Sequence, residues 1–131
     1  MTQIRISEAA ELLGVSDDTV RRMVEAGRLP GDHDDAGRLV VQGAELAAVA
    51  KEIARPARVG VVADESARNR MRGIVTAVVK DTVMAQVELQ CGPFRVVSLM
   101  SREAVDDLGL EKGSVAVASI KSTNVVIGVP R

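Results

Sequence analysis

Val83-Met84-Ala85-Gln86-Val87-Glu88-Leu89 decides the fold of the second half of this chain: Val83, Ala85, Val87 and Leu89 share one face, opposite Met84, Gln86 and Glu88. A period of two is the mark of a half-buried β-strand. Working outward, Gly73–Lys80 is a predicted strand before it, and Gly92-Pro93 turns the chain into a third, Phe94–Met100. Ser101 is placed to cap a short helix, Arg102–Leu108, stopped by Gly109. Ser114–Ile120 and Asn124–Val129 complete five strands, a spacing that suggests a small barrel.

Toward the N-terminus the period changes. Ser7 is predicted to cap a helix with apolar positions Ala9, Ala10, Leu12 and Leu13, ending at Gly14. Ser16 caps a second, in which Val20, Met23 and Val24 recur at i, i+3, i+4 and Gly27 closes the element. Only Gly14-Val15 separates them, which predicts a tight helix-turn-helix. A polar stretch from Asp32 to Gly37 before Leu39-Val40-Val41 reads as a hairpin or wing, and Gln42–Ile53 as a third helix buried through Leu46, Val49 and Ile53. Arg55 to Gly60 breaks the pattern. The domains are therefore expected at 1–55 and 66–131, with a linker at 56–65.

Composition bounds the chemistry. The 131 residues are 47% hydrophobic, enough for a packed core. With Phe94 as the sole aromatic residue, stacking on single-stranded nucleic acid lacks its platforms. A formal net charge of −1 gives no whole-chain attraction to polyanions, so any anion or DNA binding must be local. A single cysteine, Cys91, allows no intrachain disulfide, and no signal segment or membrane span is evident, so a cytoplasmic location is expected. His33 among Asp32, Asp34 and Asp35 offers metal-ligand types, but adjacent residues on a turn tip splay into solvent, and no metal site is expected. Cys91 has no partner base, since His33 lies in the other half, and no phosphate loop or paired-acid motif occurs. The expected protein is not an enzyme.

The run from Ser7 to Pro30 resembles the opening of MerR-type and excisionase-type winged helix-turn-helix domains. The resemblance implies a second helix in the major groove of double-stranded DNA, with Thr19, Arg21 and Arg22 as base-edge or phosphate contacts and Arg28 and Arg38 flanking the wing. Against it stands charge. Residues 1–58 carry eight Lys and Arg against ten Asp and Glu, a net of −2, whereas phosphate neutralisation supplies much of DNA affinity.

The second half carries four ordered motifs: Ser66–Gly73, Val97–Ser101, Leu108–Gly113 and Ile120–Val125. Together they resemble the Mop, or TOBE-like, domain of molbindins and of the molybdate-responsive repressor. The residues suit such a ligand on their own terms. A tetrahedral dianion needs several converging donors; Arg68 offers a fork, Lys121 a point charge, and Ser66, Ser98, Ser122 and Thr123 hydroxyls. Backbone N–H groups in the two turns could add a nest. The resemblance implies an α+β chain: a winged helix-turn-helix, then a small five-stranded OB-like barrel with one short helix. It also implies that the Ser-Ala-Arg-Asn segment of one subunit meets the Lys-Ser segment of another around molybdate or tungstate. Carried across, Ser66, Ala67, Arg68, Asn69, Lys121 and Ser122 are the leading ligand candidates, with Ser98 and Thr123 behind them and Ser101 a helix cap.

One barrel per chain implies a homo-oligomer, a hexamer built as a trimer of dimers or else a dimer. No catalytic cofactor is implied, and nothing offers a pterin pocket with aromatic walls. The expected function is a molybdate-responsive DNA-binding regulator; the alternative is a molybdate storage or homeostasis protein whose helix-turn-helix does not bind DNA. A third class, a phage-type excision or architectural factor, would use the barrel only to oligomerise.

Overall fold

The computed structural model describes residues 2–60 and 65–130. They form two compact units, Met1–Arg55 and Pro56–Arg131, and residues 61–64 of the expected linker lie outside the described residues.

The first unit comprises β1 (Gln3–Arg5), α1 (Ile6–Leu13), α2 (Asp17–Glu25), β2 (Gly31–His33), β3 (Leu39–Gln42) and α3 (Gly43–Ile53). The helix-turn-helix and wing are present as the periodicity predicts. Ser16 caps α2, its Oγ accepting the Thr19 N–H at 3.2 Å. Gly14 ends α1 in the left-handed region at φ 71°, where its N–H reaches the carbonyls of Ala10 and Glu11. Ser7 is not a cap. Helix α1 starts two residues earlier than a Ser7 cap would set it, at Ile6, whose side chain is buried, and Arg5 precedes it without a side-chain cap. The cause is β1, which the sequence reading did not find: Ile4 pairs with Val41 across an antiparallel ladder and leads the chain straight into the helix. The three strands lie in the order β1-β3-β2. Ile6, Ala9, Val20, Met23, Leu29, Val41 and Leu46 form the core under them.

The second unit comprises β4 (Asn69–Lys80), β5 (Met84–Cys91), β6 (Phe94–Ser101), α4 (Arg102–Leu108), β7 (Val115–Ile120) and a 3-10 turn, Ser122–Asn124. The sheet order is β6-β5-β4-β7, all antiparallel. Its inner face carries Val75, Ala85, Val87, Leu89 and Cys91, with Val105 of α4 buried among them. Ser101 caps α4, accepting the Ala104 N–H at 3.1 Å, and Gly109 ends it at φ 63°. Gly73 is required by packing: a Cβ there would overlap the Gln90 carbonyl oxygen and lie 2.7 Å from Cys91 Sγ.

Two expectations change. Strand β4 begins at Asn69 rather than Gly73, because Asn69 through Ile74 pair with β7 before the strand continues along β5. The fifth strand expected at Asn124–Val129 does not form within the chain. After the 3-10 turn, Val126, Ile127 and Val129 are 93%, 84% and 71% exposed, and the extended backbone finds no neighbouring ladder. Strands β6 and β7 are thus the two open edges, and between them lies an apolar trough of about 560 Å³ lined by Val96, Met100, Leu110, Ala116 and Ala118 among others.

Candidate functional site

The Ser66–Asn69 and Lys121–Ser122 segments meet within one chain. Asn69 is the first residue of β4 and pairs in register with Ile120, the last of β7. The Asn69 Nδ2 group donates to the Ile120 carbonyl at 3.1 Å, which ties the start of one segment to the start of the other. Beyond Ile120 the chain turns at once: the Asn124 N–H reaches the Lys121 carbonyl at 2.9 Å and the Val125 N–H the Ser122 carbonyl at 3.3 Å. These bonds hold Lys121, Ser122 and Thr123 at the same end of the sheet as Asn69. The two segments therefore adjoin within one chain, before any second subunit is considered.

The donors at this end are largely uncommitted. Ser66, Arg68, Lys121, Ser122 and Thr123 are exposed, while Ala67 is seated at 4% exposure and fixes the path of the segment. Among the described residues, Arg70, Lys80, Arg95 and Arg102 are each in an ion pair, but Arg68 and Lys121 are in none. The hydroxyls of Thr76, Ser101 and Ser114 serve the fold. No comparable bond engages those of Ser66, Ser122 or Thr123 among the described residues, nor do the N–H groups of Ser66, Ala67 and Arg68 enter a backbone bond there. Two cations, several hydroxyls and backbone donors at one end of a strand pair suit a compact polyoxyanion. The sequence from 66 to 131 carries nine Lys and Arg against six Asp and Glu, a net of +3, so the local charge favours an anion although the whole chain is slightly acidic.

Two candidates are placed differently. Ser98 lies on β6, at the far edge of the sheet from β7, opposite Val87, and lines the trough. The Asn69 side-chain amide is occupied in joining the two segments, which makes it a clamp between them. The sequence reading missed the residue beside it. Arg70 Nη2 donates to the Glu65 carbonyl at 3.3 Å, and its Nε stands 3.7 Å from Glu65 Oε2. No periodic signal marks a contact made across an irregular turn.

In the N-terminal unit the DNA-contact candidates are exposed or half-exposed, but most are tied to local partners. Arg28 pairs with Glu52 at 3.2 Å, Arg38 with Asp34 at 3.1 Å and Arg21 more loosely with Asp18 at 3.9 Å. Arg22 Nε donates to the Asp18 carbonyl, and the Thr19 hydroxyl lies 2.9 Å from that of Ser16. The acidic wing tip has a structural role: Asp34 accepts the N–H groups of Ala36 and Arg38 and the Arg38 guanidinium, and so builds the turn.

Comparison with known proteins agrees with this division. The family model of the TOBE domain matches residues 65–127. Molybdenum-pterin-binding protein 3 of Clostridium pasteurianum is 44% identical over 63 residues, covering 47% of this chain and 93% of that one. The chain belongs to the TOBE/Mop family. Its TOBE half is also similar to the probable molybdenum-pterin-binding protein of Haemophilus influenzae, at 42% identity over 49% of this chain and 94% of that one. Among solved structures, the cytoplasmic molybdate-binding protein ModG with molybdate bound is 40% identical, with a TM-score of 0.49, over 51% of this chain and 48% of that one. Ahead of the TOBE domain, residues 4–53 match the model of a helix-turn-helix domain.

Proposed function

We propose that the TOBE half binds a tetrahedral oxyanion, molybdate or tungstate, at the end of the β4–β7 pair. Arg68 and Lys121 supply charge; Ser66, Ser122 and the backbone N–H groups of Ser66–Arg68 supply directed donors, with Thr123 and Ser98 outside this set. The observation that carries the reading is the Asn69–Ile120 pairing, which sets two segments of uncommitted donors side by side. The bare oxyanion is favoured over a pterin because Phe94, the chain's one aromatic residue, cannot wall a heterocycle alone. This is a binding protein and not an enzyme.

The barrel closes by exchange. The open edges β6 and β7 flank the apolar trough, and the described tail, Val125–Pro130, has the same six-residue length as β7. Laid between the edges of a second copy, it becomes the missing fifth strand and buries Val125, Ile127 and Val129. A reciprocal pair then forms a dimer, and a trimer of such dimers gives the hexamer. The Lys121–Thr123 turn sits at the crossing point of each exchange, which puts the anion site at the subunit boundary.

The helix-turn-helix makes the protein a molybdate-responsive transcriptional regulator, in which anion occupancy favours one arrangement of the oligomer for double-stranded DNA. A storage or homeostasis role is the second reading, favoured by the net −2 of residues 1–58 and by the local pairing of Arg28 and Arg38. Calorimetric titration with molybdate, tungstate, sulfate and phosphate tests the first claim. Tight binding of the first two, lost in Arg68→Ala and Lys121→Ala, is expected; equal weak responses to all four would refute it. Anisotropy titration of operon-upstream DNA with and without molybdate separates the two roles, since a storage protein gives no binding even at low salt.

A further inference from the structure

The Ser66–Arg68 segment lies outside the β4 ladder, and its downstream end is held by Asn69 on the Ile120 carbonyl. Something must hold the upstream end, because a segment whose backbone donors are left for a ligand has few bonds of its own. We infer that Arg70 is a positioning residue for this segment: it reaches back five residues, holds the Glu65 carbonyl, and neutralises the Glu65 carboxylate beside the anion. The inference rests on the oxyanion reading for its binding consequence, but its structural half is independent of any ligand.

Three observations carry it. The Arg70 and Glu65 side chains are 30% and 31% exposed, less than any other ion-pair partner among the described residues except Asp34 and Glu88, so the contact is partly shielded from water. Arg70 Nη2 donates to the Glu65 carbonyl while Nε stands within ion-pair range of the carboxylate, so one guanidinium addresses both the backbone and the side chain of Glu65. Among the described residues the Arg70 Nε is excluded from water and has no hydrogen-bond partner, 3.7 Å from Glu65 Oε2, so the guanidinium gains from any order that draws Glu65 closer.

Charge gives the second consequence. Glu65 is the only carboxylate in residues 65–80, which also contain Arg68, Arg70 and Arg72. Left unpaired, it would repel a dianion bound one to three residues away; paired with Arg70, its field is offset at short range. Lysine cannot replace this contact, since a single ammonium does not span carbonyl and carboxylate in one plane.

The test uses the full-length protein and three variants, Arg70→Ala, Arg70→Lys and Glu65→Gln. Backbone 15N order parameters at Ser66, Ala67 and Arg68, measured without ligand, are expected near the rigid value of about 0.85 in wild type and below about 0.6 in both Arg70 variants. The same quantity at Val87 and Leu89 should not change, which shows that the sheet is intact. Molybdate titration should show roughly tenfold weaker binding in both Arg70 variants and binding at least as tight as wild type in Glu65→Gln. Wild-type order and affinity in Arg70→Ala would overturn the inference, and full rescue by Arg70→Lys would reduce Arg70 to a charge. If wild type itself does not bind molybdate, the proposed function fails, while the order parameters still decide the role of Arg70.

Discussion

Ile127→Asp tests the exchanged strand most directly. In the isolated chain Ile127 is 84% exposed and touches no core, so if the tail stays in solvent the substitution should alter stability by no more than about 0.5 kcal/mol. In the exchanged dimer the tail is a strand, whose alternation sets Val125, Ile127 and Val129 on one face and Val126 and Gly128 on the other, and the proposal lays the first, more apolar face toward the trough. Burying an isoleucine side chain stabilises by about 1.5–3 kcal/mol, and twofold symmetry applies the loss twice, so roughly 3–6 kcal/mol is at stake per dimer. At about 1.4 kcal/mol per factor of ten, the dissociation constant should rise by roughly two to four orders of magnitude, and more once an aspartate must be desolvated. Sedimentation equilibrium with interference optics is the suitable assay, because a chain without Trp or Tyr absorbs almost nothing at 280 nm. Val126→Asp, on the opposite face, should be far milder even though Val126 is the more exposed residue, at 93%. A wild-type protein that sediments as a monomer would refute the reasoning. So would Ile127→Asp associating like wild type, or Val126→Asp doing equal damage.

Gly73→Ala should destabilise the TOBE half by about 1–3 kcal/mol, since its Cβ must displace strand β5. Cys91, buried beside it with its thiol pushed up by desolvation, reports the change through faster thiol labelling. Asp81, Glu88 and Asp106 are all held below the usual carboxylate range, by the Met84 and Val83 N–H groups, by Arg95 and by Lys80 respectively. A depressed folded value stabilises above the unfolded value and is lost as pH falls through the folded one, so the urea midpoint should hold at neutral pH and fall below the ordinary values of 3.8 for Asp and 4.5 for Glu. Asp81→Asn with Asp106→Asn should flatten that fall. If the helix-turn-helix binds DNA, Arg22→Ala should weaken binding to all sequences and lower the salt slope by about one, as loss of one phosphate contact does. Arg38→Ala should act instead by loosening the wing, because its guanidinium is held on Asp34, and a change confined to its salt slope would count against that.

Local signals in the sequence located most elements of the fold. Ser16 and Ser101 cap their helices, and Gly14 and Gly109 end theirs, because these roles depend on a few adjacent residues. The alternation in β5 holds from Ala85 to Leu89, because both neighbouring strands lie in this chain, whereas Val83 falls before the strand and is 68% exposed. What was not legible depends on distant or absent partners. Strand β1 is three residues long and exists through Val41. The start of β4 was hidden because Arg70 and Arg72 give no apolar alternation, and the strand there exists through its pairing with β7. The tail has strand composition but pairs with neither open edge of its own chain. At the site, Ser66–Asn69 and Lys121–Ser122 were legible as motifs, whereas the clamp roles of Asn69 and Arg70 emerge only from a cross-strand register and a turn.

The irregularity in β4 between Val75 and Ala77 bears on how this strand can change. Val75 opposes Leu89 on the inner face, but Ala77 opposes Glu88 and Val78 opposes Val87, so residue parity reverses at Thr76, whose hydroxyl donates to the Glu88 carbonyl at 3.3 Å. One strand is thus read in two frames: odd numbers point inward at the anion end and even numbers at the helix end. A fixed period of two would have buried Val79, which is 65% exposed. Loss of the single residue Thr76 would leave Asn69 opposite Ile120 and Ala77 opposite Glu88, so that only the bulge is lost and the inner and outer faces from Ala77 to Lys80 are kept. The bulge is therefore the one point described in this strand where a single residue can be lost without reassigning the faces at the ligand end or the helix end.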